Sequence, residues 1–479
     1  MSDIEWLLDR IEQSPEGADI GAFFDFDGTL IDGYSAAAFF SYRLRKREIG
    51  PKEIVQLVTE SINVERRGHD VSDLMNVGVA AQGGKKTEEV EKLSRGVFAA
   101  KIAHMVFDEA RVLIDAHKRM GHTVVIASSA TPPQIKPTAD DLGVRNIICT
   151  EVEVDASGIL TGKLASAIRW GEGKADGVRE FATDRAVDLS ASFAYSNGAE
   201  DVPFLESVGN PCALNPDDDL VTIAKERGWP SANLSRPHRT TPLDVVRSGV
   251  AATLFGASVA TASGFALINR SRSLGANLAA SMGSDLSLAA AGVRLNVVGM
   301  QNLWSDRPAV FLFNHQSQLD LFVLGALLRK DFTGVAKKSL EHDPVFAPLG
   351  YLADVAYIDR NNNAKAREEL KPVVDALRGG RSIAIAPEGT RSPTPRLLPF
   401  KKGPFHMAIQ AGVPVVPIVM RNCGELMPAH SYVIHPGVLD VAVLPPVHTT
   451  GWTPANLDAK VRRVRQMYLD TLADWPDSE

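Results

Sequence analysis

Short apolar runs separated by stretches of helical length occur twice along the chain of 479 residues. Such runs, with room for a crossover helix between them, predict strands of a parallel sheet with helices on its faces. The predicted strands of the first half are GAFFDFD (21–27), HTVVIASS (122–129), RNIICTEVEV (145–154) and SFAYSNG (192–198). Those of the second half are RLNVVG (294–299), AVFLFN (309–314), VAYIDR (355–360), SIAIAP (382–387) and VPVVPIVM (413–420). Because a single core rarely grows beyond about 250–300 residues, two α/β domains are expected.

The two patterns are separated by a polar, proline-containing linker, NLSRPHRTTP (233–242), and by a weakly apolar region. We therefore assign residues 1–235 to a first domain, 236–293 to a linker and membrane-associated helical region, and 294–479 to a second domain. Within the first domain, residues from about 35 to 118 have a helical pattern without a strong strand signal. This pattern predicts a helical cap inserted after the first strand.

The apolar region contains 22 residues without a charge between Arg247 and Arg270. At about 1.5 Å rise per residue, a helix of that length could cross a hydrocarbon core of roughly 30 Å. The segment is rich in Ala, Gly, Ser and Thr, so a buried helix or a helix lying in the interface is an open alternative. A second weakly apolar stretch, 274–293, is interrupted by Asp285. The two stretches could form a helical hairpin inserted part-way into one leaflet.

Composition narrows the cellular setting. The three cysteines are widely scattered and fit neither a disulfide framework nor a zinc site, which favours a reducing cytoplasm. The amino terminus carries acidic residues and lacks an apolar core segment, so it does not resemble a secretory signal. The formal net charge is −7 and the sequence shows no basic stripe, so nucleic acid is not an expected partner.

Two carboxylates, Asp25 and Asp27, follow the first apolar run and precede a turn through Gly28 and Thr29. Carboxylates two positions apart on such a loop can point at the same ligand. One of them can attack phosphorus while the other protonates the leaving oxygen. An acidic strand end with a glycine turn would have the same sequence, yet few structural reasons demand two carboxylates there. The motif therefore favours phosphoryl chemistry.

This loop resembles motif I of the haloacid dehalogenase superfamily, in the phosphoserine-phosphatase-like branch that carries a helical cap directly after it. Ser128, Lys174 and Asp201 stand, in this order, where that family has its phosphate-binding hydroxyl, its lysine and its last acid. The resemblance implies a Rossmann-like fold over about residues 20–230 and a phosphomonoesterase with Asp25 as nucleophile. The cofactor that it implies is Mg²⁺, with the ligands Asp25, Asp27, Asn197 and Asp201.

Asn197 departs from the family pattern, which usually has an aspartate at this position. An amide supplies a neutral carbonyl oxygen but no charge, so the affinity for Mg²⁺ should be lower. Two interpretations are open: a magnesium-dependent phosphatase in which Glu200 compensates, and a domain that serves mainly as a scaffold.

A second chemical motif, NHQSQLD (314–320), follows a strongly apolar strand and precedes an apolar helix. An aspartate five residues after a histidine can hold one ring nitrogen, which leaves the other free to take a proton from a hydroxyl. This is the logic of a catalytic triad without a protein nucleophile, because a substrate alcohol would itself attack. His315 would be the base and Asp320 its orienting acid. A helix-capping histidine with an aspartate in the first turn is the structural alternative.

The loop APEGTRS (386–392) follows another apolar strand about 70 residues further on. A glycine-containing turn that offers backbone N–H groups beside an arginine suits a phosphate monoester. A simple Pro-Glu-Gly loop would leave Arg391 and Ser392 unexplained.

Together these motifs resemble those of the glycerophospholipid acyltransferase family, particularly the lysophosphatidic acid acyltransferases. YIDR (357–360) and VPVVP (413–417) match two further motifs in the expected order, and Ala386 replaces the phenylalanine common before Pro-Glu-Gly. The resemblance implies a glycerophospholipid acyltransferase fold, an acyl-CoA or acyl carrier protein donor, a lysophosphatidic acid acceptor and no cofactor for this domain. It also implies that His315 deprotonates the acceptor hydroxyl. The residues implied in binding the glycerol-phosphate head are Arg360, Glu388, Gly389, Thr390 and Arg391.

The leading interpretation is a 1-acylglycerol-3-phosphate O-acyltransferase at the cytoplasmic face of the cell membrane. It would acylate the sn-2 hydroxyl of lysophosphatidic acid to give phosphatidic acid, and it would carry a fused phosphomonoesterase. One alternative is a soluble phosphatase for a small acid such as phosphoserine, against which four intact acyltransferase motifs argue. The other is a non-catalytic phosphatase fold that regulates the acyltransferase, which Asn197 keeps open.

Overall fold

The structure is a computed structural model that describes residues 4–50, 59, 72–235, 240–338, 341–342, 347–358, 371–429 and 431–476. The chain divides into two compact units, Met1–Pro237 and His238–Glu479. The described helices of the first unit are α1 (Glu5–Glu12), α2 (Ser35–Arg45), α3 (Ser72–Ala80), α4 (Thr87–Ala100), α5 (Asp108–Arg119), α6 (Pro132–Leu142), α7 (Glu172–Arg185), α8 (Val202–Glu206) and α9 (Asp218–Arg227). Its strands are β1 (Gly21–Phe24), β2 (Thr123–Ala127), β3 (Asn146–Ile148), β4 (Val152–Val154), β5 (Leu160–Leu164), β6 (Phe193–Ser196), β7 (Asn210–Leu214) and β8 (Ser231–Ala232).

The first unit is built on a six-stranded parallel sheet with the order β3-β2-β1-β6-β7-β8. The central strand β1 is apolar at every position and buried throughout, as expected for a parallel strand covered on both faces. Strands β4 and β5 form a separate antiparallel pair. Of the helices in the segment predicted as a cap, α5 packs on β2 rather than away from the sheet.

A chain of buried polar groups links α5 to β6. Nε2 of His122 lies 2.9 Å from the carbonyl oxygen of Pro15, which can only accept, so this nitrogen carries the proton. Nδ1 of His122 then accepts from Nδ1–H of His117 at 2.8 Å, and Nε2 of His117 accepts from the hydroxyl of Tyr195 at 2.8 Å. Burial, and after it the neighbouring His122, lowers the pKa of His117 to about 3. The network is satisfied only while both imidazoles are neutral.

The second unit contains a seven-stranded mixed sheet preceded by two long helices. Its described helices are α10 (Pro242–Ile268), α11 (Arg272–Ala291), α12 (Asn302–Ser305), α13 (Asp320–Leu328), α14 (Ala347–Leu352), α15 (Lys371–Arg378), α16 (Gly403–Ala411), α17 (Cys423–Leu426) and α18 (Leu457–Ala473). Its strands are β9 (Val293–Val298), β10 (Val310–Phe313), β11 (Phe332–Lys337), β12 (Ala356–Ile358), β13 (Ser382–Ile385), β14 (Val415–Met420) and β15 (Gly437–Val443). The order is β12-β11-β13-β10-β14-β15-β9, and only the β14–β15 pair is antiparallel.

Helices α10 and α11 pack along each other. The close approach requires small residues, because a Cβ added to Gly275 would lie 2.7 Å from Cβ of Ala266. The hydroxyl of Ser287 also donates to the carbonyl of Ala251 at 3.1 Å. Among the residues that the structure describes, α10 is the one helix long and apolar enough to cross a membrane by length and composition, and 33% of its apolar window is buried.

Two α/β units are what the sequence predicted, and this fold class is confirmed. The prediction of one strand over 145–154 was wrong. The chain leaves the sheet after β3, because the backbone of the buried Thr150 bonds elsewhere. Its N–H donates to the carbonyl of Ala130, and its hydroxyl accepts the backbone N–H of Arg169. The sequence analysis missed five strands, which are β5, β7, β8, β11 and β15.

Candidate functional site

In the second unit, three neighbouring strands bring their following loops together. Strand β10 pairs in parallel with β13 on one side and with β14 on the other. The carboxyl ends of parallel strands share one edge of a sheet, which is where α/β proteins place their ligand sites. The loops that begin at Asn314, Ala386 and Arg421 therefore lie side by side.

His315 and Asp320 form a hydrogen-bonded pair on the first of these loops. Nδ1 of His315 is 2.6 Å from Oδ2 of Asp320, which begins α13. Because a carboxylate accepts, Nδ1 carries the proton and Nε2 is left as the basic nitrogen. The side chain of His315 is 27% exposed and that of Asp320 2%, so the base can meet a substrate while its partner is enclosed.

Asp320 accepts hydrogen bonds from three further groups besides the imidazole of His315. Oδ2 also receives the backbone N–H groups of Gln316 at 3.0 Å and Ser317 at 3.2 Å. Oδ1 receives the thiol of Cys423, at the start of α17, at 2.8 Å. Every partner of this carboxylate donates a hydrogen bond to it, so both of its oxygens act as acceptors.

The side chain of Glu388 is buried and bonds to the backbone of the loop that carries His315. It is 3% exposed. Oε1 accepts the backbone N–H of His315 at 2.7 Å, and Oε2 accepts the backbone N–H of Leu398 at 2.8 Å. Burial raises its pKa to about 7, against the lowering effect of these two bonds. The side chain joins the histidine loop to the second loop.

The remainder of the second loop is arranged around a glycine. Gly389 has φ +73°, and an added Cβ would lie 2.8 Å from Nζ of Lys401, so the ammonium group packs directly on this glycine. Thr390 is exposed, whereas Arg391 donates to the carbonyl of Ala429 at 2.7 Å. The backbone N–H of Ser392 donates to the carbonyl of His315 at 2.7 Å. Arg360, the other predicted head-group residue, lies outside the described residues.

In the first unit, the predicted acidic residues converge at the carboxyl ends of β1 and β6. Nζ of Lys174, in the first turn of α7, lies 2.7 Å from Oδ1 of Asp25 and 2.5 Å from Oδ2 of Asp201. Burial alone would lower the pKa of Lys174, but the two carboxylates outweigh it and raise this pKa. Burial raises the pKa of Asp25 to about 6 while Lys174 opposes that rise. Above that pH, Asp25 is therefore ionised and paired.

Asp27 has a different environment from Asp25. Its two oxygens accept the backbone N–H of Ser35 at 2.6 Å and the hydroxyl of Ser35 at 3.0 Å, at the start of α2. Burial raises the pKa of Asp27 to about 7. Two neighbouring carboxyl groups with different proton affinities can divide the roles of nucleophile and acid.

Asn197 and Ser128 occupy the ends of the two strands that flank β1. The hydroxyl of Thr29 donates to Oδ1 of Asn197 at 3.0 Å, and a Cβ on Gly28 would lie 2.4 Å from Nδ2 of Asn197. Gly28 has φ +81°, so this turn needs glycine both for its conformation and for the approach of the amide. Ser128 is buried, and its hydroxyl accepts the backbone N–H of Ala130 at 3.1 Å.

The donor set of this site fits a hard cation. Buried Oδ1 of Asp201 accepts no hydrogen bond from the described residues, although Oδ2 accepts from Lys174 and Ser196. An uncommitted oxygen on a buried carboxylate that shares Lys174 with Asp25 is chemistry that suits Mg²⁺. The described residues hold no group of three His, Cys, Asp or Glu side chains suited to a metal. The amide oxygen of Asn197 is a further oxygen that the predicted ligand set offers to a metal.

Two residues of these sites were missed in the sequence. Ser35 carries no distinguishing signal, since serines at helix starts are common. Cys423 was considered only as part of a cysteine count. Its position three residues after the end of β14, the strand beside β10, is the only indication that it could reach Asp320.

Comparison with known proteins agrees with these two constellations. Residues 294–421 match the family described as Acyltransferase, and residues 22–206 match the family of haloacid dehalogenase-like hydrolases. The chain therefore carries a haloacid dehalogenase-like domain followed by an acyltransferase domain.

Several proteins are similar to parts of this chain. The 1-acyl-sn-glycerol-3-phosphate acyltransferase of Saccharomyces cerevisiae is 36% identical over 186 residues, which are 38% of this chain and 61% of the yeast protein. The chain thus spans less than two thirds of that relative. The "Inhibition of morphological differentiation protein" of Streptomyces azureus is 33% identical over 46% of this chain and 79% of its own length. The crystal structure of the 1-acyl-sn-glycerophosphate acyltransferase PlsC from Thermotoga maritima aligns with a TM-score of 0.40 and 23% identity, over 49% of this chain and 100% of that one.

Proposed function

We propose that the second domain transfers an acyl group from acyl-CoA or acyl carrier protein to the sn-2 hydroxyl of lysophosphatidic acid, giving phosphatidic acid. The observation that carries this proposal is the 2.6 Å bond between Nδ1 of His315 and Oδ2 of Asp320. It leaves Nε2 as a base for a substrate hydroxyl. The hydroxyl attacks the thioester carbonyl, His315 takes its proton, and the thiolate of the donor leaves with a proton returned to it.

The phosphate of the acceptor would bind beside the base. Lys401 and Arg391 bring two positive charges to the turn at Gly389, and Arg360 is proposed as a third on the grounds of its motif. Thr390 is exposed on the same turn and can donate its hydroxyl. Both oxygens of Glu388 accept backbone N–H groups. In this proposal Glu388 therefore holds the loop that carries His315 and does not contact the phosphate.

A lipid acceptor requires access to a membrane, which the paired helices α10 and α11 would provide. Near their turn, Leu267 is 79% exposed and Ile268 81%, with Phe265 and Leu274 also exposed. Large apolar side chains clustered at a helix turn are characteristic of surfaces that enter lipid. We propose that this hairpin seats the enzyme in the cytoplasmic leaflet of the cell membrane.

The proposal is tested by mixing purified protein with lysophosphatidic acid and each donor while phosphatidic acid and free phosphate are both followed. Wild type should form phosphatidic acid, and His315→Ala should lower the rate by about 10³-fold, the scale of a lost general base. His406→Ala, on the exposed face of α16, is the matched control and should keep full activity. No product from wild type with either donor, or an active His315→Ala, would refute the proposal.

A second function is proposed for the first domain: hydrolysis of a phosphomonoester. The arrangement of Lys174 between Asp25 and Asp201 favours it, because that lysine can neutralise both the nucleophile and a bound phosphate. Asp25 would attack phosphorus and Asp27 would protonate the leaving oxygen. Mg²⁺, held by the predicted ligands Asp25, Asp27, Asn197 and Asp201, would supply charge neutralisation for the phosphate.

The alternative for this domain is a scaffold without turnover. A broad panel of phosphomonoesters, including phosphoserine, distinguishes the two when phosphate release is followed with Mg²⁺ and with EDTA. Magnesium-dependent release that Asp25→Asn abolishes supports the phosphatase. Absence of release from the whole panel supports the scaffold.

A further inference from the structure

Buried Cys423 is in direct contact with the acid of the acyl-transfer pair. It is fully buried, and its thiol donates to Oδ1 of Asp320 at 2.8 Å. The opposite oxygen of the same carboxylate holds His315 at 2.6 Å. The thiol and the proposed base therefore bond to the same carboxylate.

The direction of this hydrogen bond is fixed by the surroundings. Burial, and then the negative charge of Asp320, raises the pKa of the Cys423 thiol well above its usual range, so the group is neutral and donates. None of the other described residues donates a hydrogen bond to Oδ1 of Asp320. Loss of the thiol would leave a buried anionic oxygen without its donor, which is costly in a medium of low dielectric constant.

The loop that carries Asp320 does not depend on the thiol for its place. Oε1 of Gln316 accepts the backbone N–H of Gly424 at 3.1 Å, and the hydroxyl of Ser317 donates to the carbonyl of Met427 at 2.6 Å. These bonds join the same two segments that the thiol joins. Removal of the thiol should therefore change the charge on the carboxylate more than the path of the chain.

We infer that Cys423 is a positioning residue of the acyl-transfer site: its thiol shares the charge of Asp320 and holds that carboxylate in the orientation that fixes the imidazole of His315. This inference rests on the proposed acyltransferase function. Without the thiol, the negative charge concentrates on the carboxylate and strengthens its hold on the proton of the pair. His315 then becomes available as a base only at higher pH.

The inference is tested with Cys423→Ala and Cys423→Ser, assayed for acyl transfer across pH. Cys423→Ala should lower kcat/KM at neutral pH by about tenfold, with KM for lysophosphatidic acid nearly unchanged. The acidic limb of its kcat/KM profile should move to higher pH. Cys423→Ser retains a donor and should restore the wild-type limb. Cys212→Ala, a buried cysteine in the other unit, is the matched control and should leave the profile unchanged.

An infrared spectrum provides a readout that needs no turnover. With Cys149 and Cys212 replaced by alanine, the remaining S–H stretching band should appear at the low frequency of a thiol bonded to a carboxylate, and Asp320→Asn should shift it upward. A band at the frequency of a free thiol would overturn the inference even if Cys423→Ala failed to fold. An unmoved acidic limb in an active, folded Cys423→Ala would overturn it as well. If wild type transfers no acyl group, the proposed function fails, while the band still reports on the hydrogen bond.

Discussion

The backbone N–H of His315 donates a 2.7 Å hydrogen bond to Oε1 of Glu388, 73 residues further along the chain. The other oxygen of the same carboxylate, Oε2, accepts the backbone N–H of Leu398. A residue whose family motif suggests contact with the substrate is thus occupied, on both oxygens, with holding the segment that carries the base.

Replacing Glu388 by glutamine should therefore lower kcat and leave KM for lysophosphatidic acid nearly constant. Glutamine has one acceptor oxygen, so one of the two backbone N–H groups would face an amide N–H₂. The expected fall is about tenfold or more, the cost of one buried unsatisfied donor. Steady-state kinetics measure it, with Glu425→Gln, exposed on α17, as control. A rise in KM at constant kcat would instead assign Glu388 to substrate binding.

Glu388 should also make the second unit less stable as pH rises. Burial raises its pKa from 4.5 to about 7, so between these values the folded state keeps a proton that the unfolded state has lost. The contribution to the free energy of unfolding then falls with pH, on the order of 1 kcal/mol per unit within that window. Urea unfolding of wild type and Glu388→Gln at pH 5 and pH 7 measures it. Equal differences between the proteins at both pH values would contradict the expectation.

The lowered pKa of His117 should make the first unit more stable as pH rises, which is opposite to the effect of Glu388 on the second unit. Its pKa is lowered from 6.5 to about 3, so between these values the unfolded state binds a proton that the folded state excludes. Stability should therefore be complete above pH 6.5 and decrease as the pH falls below it. His117→Gln should flatten this dependence even though it lowers stability at pH 7. Unfolding followed over pH 4–7 tests this, with the exposed His406→Gln as control.

Asn197→Asp should strengthen magnesium binding in the first unit. The substitution adds a negative charge to the predicted ligand set, which includes Asp201, whose Oδ1 accepts no hydrogen bond from the described residues. Carboxylates bind Mg²⁺ more strongly than amides do. Titration calorimetry with magnesium chloride should show a lower dissociation constant than in wild type, and Asp201→Asn should raise it. Identical titrations of wild type and Asn197→Asp would show that this position is not a ligand.

The double substitution Leu267→Ser/Ile268→Ser should weaken attachment to membranes. Burial of one large aliphatic side chain contributes about 1.5–3 kcal/mol, so vesicle affinity should fall by at least about tenfold. Co-sedimentation with phosphatidylglycerol–phosphatidylcholine vesicles measures this. Val438→Ser, an exposed residue of β15, is the control and should bind as wild type does. Undiminished co-sedimentation of the double variant would exclude the helix turn as the contact.

The sequence by itself determined that there are two α/β domains and which loops carry the chemistry. Runs such as GAFF and VFLF are apolar on both faces, which suits only strands covered on both sides, and polar motifs directly after such runs have to lie at the sheet edge. The order of the motifs then sufficed for both family resemblances. The side-chain pair His315–Asp320 was also predictable, because both residues lie on one short loop.

Only the tertiary structure decided which strands are neighbours and which atoms meet. An apolar run does not specify its partner, so the pairing of β10 with both β13 and β14, and with it the contact of Cys423 with Asp320, could not be predicted. A motif gives the type of a residue but not the direction of its side chain. For that reason Glu388 was expected to contact the substrate, whereas its carboxylate bonds to the backbone N–H groups of His315 and Leu398. Strand β15 was missed because its antiparallel pairing breaks the strand–helix alternation on which the prediction rested.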